Sequence, residues 1–386
     1  MSWWLDLEEL DDEQREVIAL PKDGNYLIKG PPGSGKTNLL LIRAEYLIRT
    51  GKPNLLVLMF NDSLHDFVVR GGAHYNVPSS KIRKLISWQM VLLREHGVSY
   101  ADLPEELVER RKQLTKRVLD LIGQNPGLEK HLQCLLVDEV QDCLAEEIEL
   151  FFRVAESVCF AGDDRQRLYS AENVLSTLKG KVKEIVLTHH YRVGHKICEA
   201  ADVVGKTAGM EPIEGSCNYN PQKSGPSKVE FIECADDAQQ AKGIIAALSA
   251  QLKAYPDELL CVAAPRNQDR DFLRTELEAS TVAPHLLPHR ETGTGDPDQR
   301  IYVANLYEVK GLEFRTIHLG LMQHVGKLRE NQKRITYTAM TRGKTTLSIY
   351  YTGSIPGYLE QAEAVTQAPK PAPDLKDLFP KKKGKK

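Results

Sequence analysis

The chain lacks any apolar run near the ~18 residues that a membrane span requires, so none of its 386 residues is expected to cross a bilayer. Its opening, Met1-Ser2-Trp3-Trp4-Leu5-Asp6, has no basic leader and turns acidic within a dozen residues, which argues against a signal peptide. It also lacks an excess of charge. Lys and Arg total 51 and Asp and Glu 53, a net of −2. Whole-surface attraction to nucleic acid is therefore excluded, and an anionic partner must be held by a local patch. No C-x-x-C pair occurs among Cys134, Cys143, Cys159, Cys198, Cys217, Cys234 and Cys261, and an odd count closes no disulfide framework. Reduced thiols in a cytoplasm are expected, several of them as small core residues in apolar runs. No internal repeat is visible.

What is present is ordinary for a globular protein, at 41% hydrophobic and 27% charged residues. The length allows two or three domains, each able to bury its own core. Apolar strand-like runs alternate with longer helical stretches. Asn25–Lys29, Leu55–Phe60, Leu132–Val137, Ser157–Ala161 and Glu184–Thr188 read as strands, with Leu39–Arg49 and Glu105–Ile122 as helices. A loop rich in Gly, Ser, Pro and Asn follows at Glu214–Lys228. A second series then runs through Val229–Cys234, Leu259–Ala264, Ile301–Leu306, Thr316–Leu321 and Leu347–Tyr351, broken by a polar loop at Pro284–Arg300. This is the pattern of parallel sheets covered by helices. We expect an N-terminal lobe over 1–190, with a short helical insertion about 89–130, a C-terminal lobe over 191–365, and a disordered basic tail over 366–386.

Gly30-Pro31-Pro32-Gly33-Ser34-Gly35-Lys36-Thr37 matches G-x-x-x-x-G-K-[ST] in full, between a strand and an amphipathic helix, and with the adjoining Asn38 it is expected to bind the nucleotide. Glycines let the backbone curl so that its N–H groups face phosphate oxygens, and the helix adds the positive end of its dipole. Lys36 then reaches the β- and γ-phosphates, and the Thr37 hydroxyl ligates Mg²⁺. At 102 positions beyond Lys36 (138 − 36), Leu135-Leu136-Val137 runs into Asp138-Glu139. Carboxylates at the C-terminal end of a parallel strand face the ligand crevice. Asp138 suits the metal and Glu139 the role of general base for water. Together these motifs indicate an NTPase using ATP and Mg²⁺.

Asp138-Glu139-Val140-Gln141-Asp142 resembles the D-E-x-Q-D block of superfamily 1 helicases of the UvrD/Rep kind, and further blocks of that family follow in order. They are Leu10-Asp11-Asp12-Glu13-Gln14, Val57-Leu58-Met59-Phe60-Asn61, Ile86-Ser87-Trp88, the run from Ala161 through Gln166 to Tyr169, His190-Tyr191-Arg192, Val309-Lys310-Gly311-Leu312-Glu313-Phe314 and Tyr337-Thr338-Ala339-Met340-Thr341-Arg342. The resemblance spans residues 10 to 342. It implies two RecA-like P-loop NTPase lobes in tandem, each a mainly parallel α/β sheet flanked by helices. It implies that Gln14 reads adenine, Tyr191 stacks on the base, Glu313 beside Gly311 accepts from the ribose, Arg192 and Arg342 reach the γ-phosphate, and Gln141 and Gln166 sense it. Phe60, Asn61, Trp88, Tyr169 and Tyr307 are the implied DNA contacts, with ordinary core packing the competing reading for the aromatics. The implied activity is 3′ to 5′ translocation on single-stranded DNA, with helicase activity.

The chain departs from the family in being compact. The span from Trp88 to Cys134 holds two or three helices, and a whole domain is missing near Pro284–Arg300. The aromatic usual two residues after the coupling tyrosine is Ala171. These departures motivate an alternative, a DNA-sensing ATPase switch acting on a partner such as a nuclease in repair or phage defence. RNA is a lesser candidate for the track. His189, His190 and His195 suggest a metal, but no cysteine or carboxylate set is expected to complete one.

Overall fold

A computed structural model describes residues 4–60, 62–163, 174–288, 296, 298–326 and 330–367. Eleven strands form two sheets among these residues. The first takes Tyr26–Lys29 (β1), Leu55–Met59 (β2), Ile82–Lys84 (β3), Leu132–Val137 (β4), Ala155–Gly162 (β5) and Lys183–Val186 (β6), in the order β3-β2-β4-β5-β1-β6. The second takes Lys228–Cys234 (β7), Leu260–Ala264 (β8), Ile301–Asn305 (β9), Phe314–Leu319 (β10) and Gly343–Thr352 (β11), in the order β7-β11-β10-β8-β9. Every pairing between these strands is parallel. The fold is α/β, with two all-parallel sheets flanked by helices, the arrangement of tandem RecA-like lobes.

The strands form because parallel sheets are covered on both faces and favour continuous apolar runs. In β8, Leu-Cys-Val-Ala-Ala is buried at all five positions. The helices follow from one-sided apolar spacing. In Leu107–Gln124 the buried Leu114, Val118, Leu121 and Ile122 recur at i, i+4, i+7 and i+8, and the Glu106 carboxylate caps the helix by accepting from the Val108 and Glu109 amides. Cys134, Cys159 and Cys261 are buried within strands, as small core residues would be, and all seven cysteines are free.

All ten expected strands are present, with shifted ends. Thr188 lies beyond β6 because its amide donates to Glu13 instead of to a neighbouring strand. β10 stops at Leu319 because Leu321 turns into the left-handed region (φ 57°), where the buried Gln240 side chain accepts from its amide. The strand not expected is β3, three residues reading Ile-Arg-Lys at the sheet edge. Edge strands are commonly short and charged, which removes the apolar signal. The expected loop Glu214–Lys228 contains a 3-10 turn at Glu214–Ser216 and one helical turn at Pro221–Ser224, capped by the Asn220 side chain. Most of the polar loop within 284–300, and the lysine tail beyond Gln367, fall outside the described residues. Among the described residues, no helix is long and apolar enough to cross a membrane.

Candidate functional site

The first lobe builds its part of the site at the C-terminal ends of β1, β4 and β5. β1 leads into the glycine-rich loop, and the helix Lys36–Arg49 leaves it. Gly33 and Gly35 take φ of +81° and +85°, a backbone region that side-chain-bearing residues rarely adopt. Inside the loop the Lys36 ammonium donates to the carbonyls of Gly30 (2.8 Å) and Pro31 (3.0 Å), and the Ser34 amide donates to Pro31. Pro32 is buried. The Ser34 hydroxyl, 1% exposed, has no hydrogen-bond partner among the described residues. An unsatisfied buried hydroxyl is costly, and an oxyanion in the curled loop would relieve it. Burial pushes the Lys36 ammonium down, while Asp163, Glu139 and Asp138 act to restore it.

At the end of β4 the Thr37 hydroxyl donates to Asp138 Oδ2 at 2.6 Å, which places a hydroxyl and a carboxylate oxygen together as a divalent cation's ligands would be. Asp138 is 2% exposed, and burial, then the adjacent Glu139 charge, pushes its carboxyl up to about 6. Burial also acts to raise Glu139, but Lys310, Arg342 and Lys36 outweigh it and hold this carboxyl below its ordinary range. Glu139 sits in the left-handed region (φ 51°) with a non-glycine side chain, a strained backbone of the kind that gathers at functional sites. The Gln141 amide donates to Glu139 Oε2, and Gln141 Oε1 accepts from the Asp163 amide at the end of β5 (3.0 Å). A Cβ on Gly162 would lie 2.8 Å from both Gln141 Oε1 and Val140, so glycine is required where Gln141 crosses the strand.

The second lobe approaches from the opposite side. A Cβ on Gly33 would meet the Arg192 side chain at 3.0 Å, and the Tyr191 amide donates to the Gly33 carbonyl (3.2 Å). Arg192 is ion-paired with Glu313. Its guanidinium is pushed down by burial and by the charge of Arg342. Arg342 is 3% exposed and is likewise pushed down by burial, while Glu139 and Asp163 act to raise it. The buried Lys310 pairs with the buried Asp142 across the lobes at 2.5 Å. Between the lobes lies a cleft of about 450 Å³ whose lining includes Gln14, Gly33, Gly35, Asn38, Tyr191 and Glu313. Its size falls within the range typical of small-molecule sites, ~300–1,000 Å³.

Other expected residues vary in placement. Gln14 is buried, with its amide donating to the Ser34 carbonyl (3.1 Å) and its Oε1 accepting from the Asp11 amide. It therefore supports the loop here as well as facing the cleft. The Tyr191 hydroxyl donates to Asp11, and Asn38 accepts from Tyr75 (2.7 Å). Gly311 takes φ +80° in the turn before β10. Phe60 follows β2, half-buried, with the Arg111 guanidinium over its ring at 4.8 Å. Trp88 is 8% exposed in the core between the first sheet and the helices that cover it, which leaves little face for a base. Tyr307 is half-buried against the main core. Asn61, Gln166 and Tyr169 lie outside the residues whose side chains are described.

Several cleft groups were not anticipated. Lys344 and Asn218 line it, and Lys223 pairs with Glu9 over its mouth at 2.8 Å. The pairing of Lys310 with Asp142 was also missed, although both residues stand inside recognised blocks. The expectation about the histidines requires correction. His189 lies beside Glu13 and His195 beside Glu214, but His190 is joined by Cys198 and Cys217, with the three donor atoms within 4.8 Å of one another. The cysteine set was missed because its members are close only after folding.

No family model matches the sequence, and no curated protein matches it. Among solved structures the chain is similar to the C-terminal domain of a possible DNA helicase from Lactobacillus plantarum WCFS1, at 15% identity and a TM-score of 0.35, covering 45% of this chain and 96% of that one. So slight a likeness carries no functional argument, and function must be read from the cleft itself.

Proposed function

We propose that the chain is an ATP- and Mg²⁺-dependent translocase on single-stranded DNA, moving 3′ to 5′ and able to act as a helicase. Residues 1–190 and 191–365 serve as its two motor lobes. The observation that carries this reading is the meeting of charged groups from both lobes around Glu139. The phosphate loop, Thr37, Asp138 and Glu139 come from one lobe, and Arg192 and Arg342 come from the other, both within electrostatic reach of Glu139.

Mg²⁺ held by Thr37 and Asp138 would neutralise charge on the triphosphate. The loop amides and Lys36 orient the phosphates, with Lys36 exchanging its carbonyl partners for phosphate oxygens. Glu139, kept ionised by the surrounding cations, accepts a proton from the attacking water, and Gln141 fixes its orientation. Arg192 and Arg342 place fixed positive charge where the transferring phosphoryl group gains negative charge. Arg192 leaves Glu313 to do so, which frees Glu313 for the ribose. Nucleotide binding thus exchanges contacts within the second lobe for contacts between lobes, and hydrolysis reverses the exchange. Phe60, Asn61, Tyr169 and Tyr307 are proposed to face the strand.

The test is ATP turnover measured against single-stranded, tailed and blunt DNA and matched RNA, together with displacement of an end block from a single strand. Stimulation by single-stranded DNA with clearance of the block supports a motor. Stimulated turnover without clearance favours the partner-directed switch. A rate indifferent to nucleic acid contradicts both.

A further inference from the structure

His190, Cys198 and Cys217 meet beside the cleft without taking part in the chemistry above. His190 stands next to Tyr191. Cys198 lies one turn into the helix His195–Lys206. Cys217 ends the 3-10 turn Glu214–Ser216, just before Asn218. The backbone fixes all three. His190 and Cys217 form a parallel bridge, in which the His190 amide donates to Ser216 (3.1 Å) and the Asn218 amide donates to His190 (2.8 Å). The helix start is tied down, with the Gly194 amide donating to the Lys344 carbonyl (3.0 Å) and the Lys196 amide donating to Ser227 Oγ (3.0 Å).

Four atoms converge there. Cys198 Sγ is 3.8 Å from His190 Nε2 and 3.5 Å from the Val193 carbonyl oxygen, and Cys217 Sγ is 3.2 Å from that same oxygen. A tetrahedral zinc with bonds of ~2.0–2.3 Å has ligand-to-ligand edges of about 3.5–3.8 Å. The measured edges match this within a few tenths of an ångström. We propose that His190, Cys198 and Cys217 form a site for one thiophilic divalent cation, Zn²⁺ by its chemistry, with the Val193 carbonyl in the fourth position.

The donor set is two sulfurs and an imidazole, which favours zinc over the hard, oxygen-seeking cation suited to Thr37 and Asp138. Binding balances as two thiols losing two protons to form two Zn–S bonds. The imidazole proton, which Nε2 now shares with the Ile213 carbonyl (3.0 Å), moves to Nδ1. Cys217 is only half-buried and gives the ion a route in. A filled site would fasten the segment carrying Asn218 to the stem of Tyr191 and Arg192, stiffening the second-lobe wall of the cleft. The site does not rest on the motor reading and would stand without it.

The test uses the full chain purified without chelators. We expect about one zinc per chain by elemental analysis, and a melting temperature that falls on chelation and recovers with Zn²⁺. Co²⁺ added to the stripped protein is expected to give thiolate-to-cobalt charge-transfer absorption with the visible bands of tetrahedral cobalt. Cys198→Ser and Cys217→Ser should each remove that absorption and weaken Zn²⁺ binding by more than the ~10–100-fold that loss of a supporting group costs. Cys234→Ser should retain both. Should the serine variants fold poorly, thiol counting on the unmodified chain decides the matter, with Zn²⁺ protecting two of the seven cysteines and chelator releasing them. No cobalt–thiolate band, unchanged affinity in both serine variants, or a Cys198–Cys217 disulfide in the chain as isolated would overturn the proposal.

Discussion

The two lobes share a fold but present opposite ends of their sheets to the cleft. In the first lobe, the phosphate loop, Asp138 and Asp163 follow the C-terminal ends of β1, β4 and β5. In the second, Glu313 and Arg342 immediately precede the N-terminal ends of β10 and β11. The first arrangement is the usual one for parallel sheets, where ligands bind beyond the carboxyl ends. The second makes a lobe that supplies side chains but no phosphate cradle of its own. One half is therefore built to hold an anion and the other to complete the charge around it. On the proposed reading, this division lets the state of the nucleotide decide how firmly the halves meet.

Arg342→Ala should do most to break this comparison. A cation acting on the transferring phosphoryl group is worth ~10³–10⁵-fold in turnover, so we expect at least a 10³-fold loss of ATPase rate with melting nearly unchanged. Lys36→Ala should abolish turnover comparably while also weakening nucleotide binding. If only the first-lobe variant matters, the second lobe is not a partner in catalysis.

Next in size is the link between the halves. Lys310 and Asp142 are both nearly buried, and removing one member of such a pair costs ~3–5 kcal/mol by stranding the other. Lys310→Met should lower unfolding stability on that scale in urea titration, and Lys310→Met with Asp142→Leu should recover much of it. Failure of the double variant to recover would mean that the pair does more than neutralise itself.

Gly162→Ala sharpens the role of Gln141. The added methyl must displace Gln141 or Val140 at a cost of ~1–3 kcal/mol. The turnover number is expected to fall more than tenfold while the Michaelis constant for ATP changes little, since Glu139 loses its orientation and the phosphate loop does not.

A further effect is one of pH and is confined to the second sheet. His318 is buried on β10, with its pKa pushed down from the ordinary 6.5 to about 4 by desolvation. The unfolded chain therefore binds a proton that the folded chain refuses between these values. The stability linked to His318 is fully present above pH 6.5 and is lost as pH falls toward 4. Denaturant melts between pH 7 and 4.5 should show this decline, and His318→Gln should flatten it.

What the sequence disclosed divides along physical lines. The phosphate loop and the acidic strand end were legible because their chemistry is local, requiring glycines, a lysine, a hydroxyl and carboxylates at short spacing beside an apolar run. The buried strands were legible because both of their faces are covered. β3 was not, since a three-residue charged edge leaves no apolar pattern. Contacts such as Lys310 with Asp142, 168 positions apart, or Glu9 with Lys223, 214 apart, follow from how the sheets are placed and not from any period along the chain. That Cys198 and Cys217 join His190 escaped notice for the same reason. Ring placement was the least legible feature, as Trp88 illustrates, because an aromatic that stacks on a base and one that fills a core have the same sequence signature.

The central claim is that both halves bind one triphosphate. The most direct measurement is a structure of the full chain with Mg²⁺ and a non-hydrolysable ATP analogue. The account predicts Arg192 released from Glu313, with both Arg192 and Arg342 bonded to the terminal phosphate that Lys36 holds from the other side. A closed, nucleotide-filled cleft in which neither arginine touches that phosphate would contradict it.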